Sequence, residues 1–247
     1  MNVTRQTPPA ARTHPWGRPF SIDAVSSKQP WLEVMWPRVR SDLPPPPAVI
    51  VEVGCGSLGG FVPMLEREGY QALGIDPHAP EGTSYRRVEF ERSDAPQAHA
   101  VIACTSLHHV GDPTAVVDRI ADVLTRDGTI VVVEWDWESF DEASARWGFE
   151  RMDPADEPKG WLHGARERWL DSGLPWDRYL TGWTREHGLH GASSLVRELD
   201  RRFDRVRRDR GAYLFSDLPG TSEAEELSAI EAGEIRALRI DYVGRRR

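Results

Sequence analysis

Short apolar runs and amphipathic stretches take turns along the middle of the chain. Ala48 to Val53 is apolar and β-branched and stops at Gly54, the pattern of a strand buried on both faces. Gly59 to Glu68 predicts a helix, with Pro63 near its first turn and Gly69 as its stop. Gln71 to Ile75 predicts a second strand that ends at Asp76-Pro77. Residues 78–84 are too short and too rich in Pro and Gly for a full crossover helix. Arg87 to Glu91 predicts a third strand and Ala100 to Thr105 a fourth, buried one. Asp112 then caps a helix with Pro113 in its first position. Ala115, Val116, Ile120, Val123 and Leu124 form its apolar face, and Asp127-Gly128 closes it. Thr129 to Val133 is a fifth strand. This alternation predicts an α/β, doubly wound, mostly parallel sheet with right-handed crossovers.

The flanks are less regular. Residues 1–30 lack periodicity and are expected to be loose or partly docked. Residues 31–41 predict a short helix with Trp31, Val34 and Met35 on one face, and Pro44 to Pro47 form a stiff spacer. Helical pieces fill 139–180, broken by Pro154, Pro158, Gly160, Gly173 and Pro175. Ser194 to Phe203 is a helix with Leu195, Leu199 and Phe203 together, and Ala212 to Phe215 is a candidate sixth strand. Ser222 and Glu225 form a capping box, and Leu238 to Val243 is an alternating strand. The expected organisation is an N-terminal segment with a lid helix over 1–47 and one domain over 48–247, with a helical cap insertion at about 139–183.

Composition narrows the functions. No apolar run approaches the roughly 20 residues that cross a bilayer, so no membrane partner is expected. Met1 to Gly17 is polar and rich in Pro and Arg, which suggests a cytoplasmic protein. Two cysteines, Cys55 and Cys104, make no disulfide framework. The net charge is −8, and the basic clusters Arg205–Arg210 and Arg245–Arg247 are small, so no nucleic-acid partner is expected. Ten tryptophans must pack somewhere, either as ordinary helix packing or as the wall of an apolar substrate chamber under a cap. His187 and His190 have ligand-like spacing, but Gly188 and Gly191 spoil a rigid helix face, and no metal is expected.

The chemistry gathers at Glu52-Val-Gly-Cys-Gly-Ser-Leu-Gly-Gly60, between a buried strand and a helix. Glycines there let the chain turn tightly and let a ligand lie against the backbone. Gly54, Gly56 and Gly59 fit GxGxxG, so NAD binding is one reading. Glu52 favours S-adenosylmethionine (SAM), because an acid suits its α-ammonium group and repels a pyrophosphate. Asp76 can accept from both ribose hydroxyls of either ligand. Asp94 is placed either to accept from an adenine amino group or to lie solvated in a loop.

Glu52-Val-Gly-Cys-Gly56 resembles the first motif of class I SAM-dependent methyltransferases. Cys104-Thr-Ser-Leu-His-His-Val110, Asp112-Pro113, Asp127-Gly128 and Ile130-Val-Val-Val-Glu134 resemble their later motifs. The set is similar to the small-molecule methyltransferases of the ubiquinone/menaquinone-type group, over about residues 48–137. The resemblance implies a seven-stranded, Rossmann-like methyltransferase fold whose antiparallel C-terminal strand is Leu238 to Val243. It implies SAM as cofactor, held by Glu52, Gly54, Cys55, Gly56, Gly59, Asp76, Pro77, Asp94 and Thr105. Two departures stand out. Leu58 occupies the place of the third family glycine, with Gly59 and Gly60 following, and the helices between strands two and four are nearly absent.

The implied reaction is in-line SN2 methyl transfer to O, N or C of a small, partly apolar acceptor. Positioning supplies most of the acceleration, and a hydroxyl or ammonium acceptor must also lose a proton to a base. His108 and His109 are the candidate bases; the alternative is that one packs on the sheet and the other shapes the pocket. Glu134 either takes a proton or binds a cationic acceptor, or anchors loop amides. Trp135 and Trp137 wall the substrate chamber or pack the cap. Two alternatives stand beside this reading: an NAD-dependent oxidoreductase and a non-catalytic SAM-binding protein.

Overall fold

The computed structural model describes residues 25–153 and 160–247. The expectations for residues 1–24 and for the Pro154 and Pro158 breaks lie outside the described residues. Seven strands form one sheet in the order β3-β2-β1-β4-β5-β7-β6. Its parallel part comprises β1 (Val49–Val53), β2 (Gln71–Ile75), β3 (Tyr85–Arg86), β4 (Ala98–Cys104) and β5 (Leu124–Trp135). β7 (Arg239–Arg246) runs antiparallel between β5 and the edge strand β6 (Phe203–Gly211). The C-terminal antiparallel strand is therefore present as expected.

Strand alternation sends successive side chains to opposite faces. Val51, Val53, Val101, Ala103, Ile130 and Val132 meet α3 (Pro113–Val123) and α7 (Ala192–Arg202) in one core. Ile50, Ala100, Ile102, Val131 and Val133 meet α1 (Val25–Ser41) and α2 (Val62–Arg67) in the other. Met35 and Val39 of α1 are buried there, so this helix is a layer of the sheet as well as an N-terminal segment. Asp112 caps α3 by accepting from Thr114 N and Ala115 N. Ser222 and Glu225 close a capping box on α8 (Glu223–Glu231).

A third cluster sits beyond the ends of β5 and β7. It is built from α4 (Glu142–Phe149), α5 (Trp161–Ser172) and α6 (Trp176–Glu186), packed on Trp135, Phe140, Leu214 and Leu238. Trp147, Trp169 and Trp176 are buried in it, which accounts for much of the tryptophan content by ordinary packing. Among the described residues, no helix is long and apolar enough to cross a membrane.

Three predicted elements differ. The strand expected at Arg87 to Glu91 is the shorter β3, which pairs only with Gly74 and Ile75 at the end of β2. The chain then turns through Phe90–Arg92, and Phe90 enters the first core. The strand expected at Ala212 to Phe215 is instead the continuation of β6 into a 3-10 turn, Leu214–Asp217. Its apolar residues are buried because Ala212 and Phe215 pack under α1 and Leu214 under the cap. The true strand β6 escaped the pattern because it is an edge strand with charged side chains, a usual protection of an exposed edge. Those charges are locally matched: Arg205 pairs with Asp200, Arg207 with Asp42 and Asp209, and Arg210 with Asp136. Finally, α3 stops at Val123, and Leu124 already pairs with Ala98. A register shift then takes up the Asp127-Gly128 turn before Thr129 pairs with Ala100.

Candidate active site

Val53 ends β1 and the backbone turns with positive φ at Gly54, Gly56, Gly59 and Gly60. The last pair explains the displaced glycine. A Cβ on Gly60 would lie 2.2 Å from a Glu52 carboxylate oxygen, and one on Gly59 would lie 2.5 Å from the Tyr85 hydroxyl. Glu52 shares its sheet face with Ile50, and its Oε2 accepts from Phe61 N at 2.8 Å. The carboxylate thus holds the turn and the start of α2 from beneath. Burial pushes its pKa up to about 8; the Phe61 and Val62 amides oppose the rise and the Asp76 carboxylate adds to it. Cys55 is buried in the same turn, and burial pushes its thiol pKa up; it is no nucleophile in this state.

Asp76 follows β2. Its Oδ2 accepts from Gly56 N at 3.0 Å and its Oδ1 from His78 N at 2.7 Å. A carboxylate oxygen has two acceptor directions, so each retains one, and the side chain is 15% exposed. That donor-hungry, partly open acid beside a glycine turn fits a ligand with a vicinal diol. Pro77 is exposed next to it. Asp94 is exposed and faces Arg86 at 3.5 Å.

The loop after β4 is fixed with unusual thoroughness. Thr105 has φ +50, a left-handed conformation for a residue with a branched side chain. Ser106 Oγ donates to Val53 O, and a Cβ on Gly54 would collide with Ser106, so β1 and β4 loops are locked together. Glu134, at the end of β5, accepts from Ser106 N at 2.8 Å and Leu107 N at 2.6 Å. Its other oxygen meets His108 Nδ1 at 2.5 Å and accepts from Trp135 N at 3.2 Å. Glu134 is therefore an anchor of loop amides and the partner of His108. An ionised carboxylate only accepts, so His108 Nδ1 donates to it. His109 is exposed, its ring centroid 4.0 Å from that of His108.

Trp135 is buried and Trp137 half-buried. Trp137 Nε1 donates to His190 O, and His190 N donates to His108 O while its Nε2 meets Val110 O. His190 is thus committed to holding the backbone of the loop after β4. Sequence reasoning placed Gly60 and Ser106 in the loops that line the site but gave Tyr213 and Glu226 no part in it. Glu226, buried on α8, accepts from Tyr213 N, Leu214 N and Phe215 N. A lone acid on the apolar side of an otherwise acidic helix gives no sequence signal of that kind.

This strand order, with a glycine turn after β1 and an acid after β2, defines the class I methyltransferase fold. The chain belongs to the methyltransferase domain family, whose model matches residues 30–191. A curated relative, the 2-ketoarginine methyltransferase of Streptomyces arginensis, is 30% identical over 156 residues, which are 56% of this chain and 46% of that protein. The chain therefore spans less than half the length of that relative. A SAM-dependent methyltransferase from Mesorhizobium loti has a similar fold, with a TM-score of 0.54 at 20% identity, covering 87% of this chain and all of that one. Geranyl diphosphate C-methyltransferase from Streptomyces coelicolor is similar at a TM-score of 0.50 and 14% identity, covering 89% of this chain and 81% of that one. Family membership decides against the NAD-dependent oxidoreductase.

Proposed function

We propose that the protein moves the methyl group of SAM to a small, partly apolar acceptor by in-line displacement. When bound, SAM supplies an electrophilic methyl on a sulfonium. The Gly54–Gly60 turn, Asp76 and Pro77 hold its amino-acid and ribose parts, with Cys55 and Thr105 lining the turn and Asp94 toward the adenine. Glu52 acts through the turn it supports. The observation that carries this is the bond from Gly56 N to Asp76 Oδ2, which fastens the glycine turn to the diol-binding acid. His108 is the base: Glu134 fixes its tautomer, aims Nε2 and stabilises the imidazolium formed on proton transfer. His109 lies over it at the surface, and Trp135 and Trp137 wall the acceptor side.

In this reading residues 48–247 form the catalytic domain and about 139–183 its cap, with α1 of the N-terminal segment packed on the sheet. A small acceptor is supported by the curated relative, whose name gives 2-ketoarginine. The pairing of Arg205, Arg207 and Arg210 of β6 with nearby acids argues against nucleic acid as a partner. Calorimetry with S-adenosylhomocysteine tests the proposal. Binding is expected, and Asp76→Ala is expected to weaken it at least about tenfold, the loss of charge-assisted bonds to two hydroxyls. No binding at millimolar ligand sinks it.

A further inference from the structure

We infer that the acceptor is an enolisable carbonyl compound, of the 2-oxo acid type, whose oxygens are taken by the indole N–H groups of Trp135 and Trp183. The inference rests on the methyltransferase reading above and names its substrate class.

Trp135 follows Glu134 directly and is 5% exposed. Five rings surround it: Trp161 at 5.3 Å between centroids, His108 and Tyr213 at 6.0 Å, Phe140 at 6.1 Å and Trp183 at 6.4 Å. The polar atoms of this cluster divide sharply. Trp161 Nε1 donates to Asp217, Trp176 Nε1 to Phe140 O and Trp137 Nε1 to His190 O. The Nε1 atoms of Trp135, Trp183 and Trp147 and the Tyr179 hydroxyl are buried and have no partner among the described residues; of these, Trp135 and Trp183 are in ring contact with each other. An unpaired buried donor is a cost that a fold seldom carries without a use. Here Trp135 meets the ring of the proposed base edge-on, and Trp183 packs in turn on Trp135.

The sign of the vacancy selects the ligand. Indole N–H donates only. The carboxylates that reach the cluster, Glu134 and Asp217, already accept bonds from within it. The two indoles therefore offer donors to a ligand, which suits carbonyl or carboxylate oxygens. The aromatic surroundings suit a planar enolate.

The chemistry closes on these groups. His108 Nε2 takes the proton from the carbon next to the carbonyl. The C–H electron pair becomes the enolate double bond and the carbonyl pair moves to oxygen, where the indole N–H groups stabilise it. The enolate carbon then forms a bond to the methyl carbon. The S–CH₃ pair returns to sulfur, the carbonyl reforms, and the proton leaves His108 for solvent.

The test uses the full chain saturated with S-adenosylhomocysteine, which allows binding and enolisation but no transfer. The probes are 2-ketoarginine and phenylpyruvate, against arginine and phenylalanine. At least one oxo acid is expected to bind at least about tenfold more tightly than its amino acid, and to exchange its C3 hydrogens for deuterium in D₂O, read by NMR. Trp135→Phe and Trp183→Phe keep an aromatic ring and remove the donor. Each is expected to weaken oxo-acid binding and slow exchange at least about tenfold, with S-adenosylhomocysteine affinity unchanged. His108→Gln is expected to abolish exchange and keep binding. If S-adenosylhomocysteine binds but neither oxo acid binds or exchanges, or both Phe variants match the wild type, the inference is overturned and the methyltransferase reading stands. If S-adenosylhomocysteine itself does not bind, both fall.

Discussion

His108 Nδ1 lies 2.5 Å from Glu134 Oε2, and both side chains are buried, at 5% and 3% exposure. The pair does two jobs at once. Glu134 sets the imidazole, and the same carboxylate holds the amides of Ser106 and Leu107 that carry the imidazole's loop. The two variants should therefore separate. His108→Gln removes the base alone, and turnover is expected to fall about 10²- to 10⁴-fold with S-adenosylhomocysteine affinity kept. Glu134→Gln replaces one acceptor oxygen with an NH₂ facing other donors. It is expected to lose both turnover and about 2–4 kcal/mol of stability. Single-turnover methylation and urea unfolding read the two quantities. Equal stability losses in the two variants would contradict this division of labour.

The glycine doublet gives a sharper structural test. Gly60 has φ +57, and an added Cβ would meet the Glu52 carboxylate. Gly60→Ala should cost roughly 3 kcal/mol, about a third from the left-handed backbone and the rest from displacing a packed, buried group. Gly111 has open space around its Cβ position and no positive φ, so Gly111→Ala should change stability by less than about 0.5 kcal/mol. Thermal melts of both, with calorimetry of S-adenosylhomocysteine, check the contrast. Gly60→Ala should also weaken that binding, because the turn is the binding surface.

Much of this was readable in the chain, and the failures share a cause. β1, β4 and β5 announce themselves because parallel strands buried on both faces are written as unbroken apolar runs. Asp112-Pro113 and Ser222 with Glu225 fix helix starts by local bonding. The turn at Gly54, its acids and the His108 loop were legible because their spacing is local. What escaped depends on distant partners. β6 is charged because it is an edge, and its identity as a strand comes only from pairing with β7. Glu134 looks the same in sequence whether it binds substrate or clamps Ser106 and His108. Glu52 was expected to meet the ligand; that its Oε2 accepts from Phe61 N depends on the folding of α2 over β1, which its place in the sequence does not state.

Glu52 carries a pH signature. Its pKa in the fold is about 8 against an ordinary 4.5, raised chiefly by burial. The folded protein thus binds a proton that the unfolded chain has released. The stabilisation is fully present below pH 4.5 and is lost as pH rises toward about 8. Between those limits this group lowers stability by at most about 1.4 kcal/mol per pH unit. Glu52→Gln keeps an oxygen for the Phe61 amide and cannot ionise. Its stability should decline less steeply than the wild type's from about pH 5.5 to about pH 7.5, with the variant the more stable of the two at the upper end. Urea unfolding across that window decides it, and parallel curves for the two proteins would refute the assignment.

Glu226 links the cap to the sheet. Its carboxylate takes three consecutive amides, Tyr213 to Phe215, and the turn they form places Tyr213 in a stack on Trp135, at 6.0 Å and 12°. Glu226→Ala leaves three buried donors without an acceptor at once, and should cost about 3–5 kcal/mol. Glu226→Gln can still accept at one oxygen only, so its loss should be smaller, about 1–3 kcal/mol. The functional consequence follows from the stack. Once the turn loosens, the Tyr213 face of the cluster is lost, and acceptor binding should weaken while the glycine turn, on the far side of β4, keeps its affinity for S-adenosylhomocysteine. Tyr213→Phe preserves the ring and should leave stability within about 1 kcal/mol. The comparison of Glu226→Gln with Tyr213→Phe, by unfolding and by acceptor titration, separates the placement of the ring from the ring itself. Acceptor binding unchanged in Glu226→Gln, despite a loosened turn, would remove Tyr213 from the acceptor site.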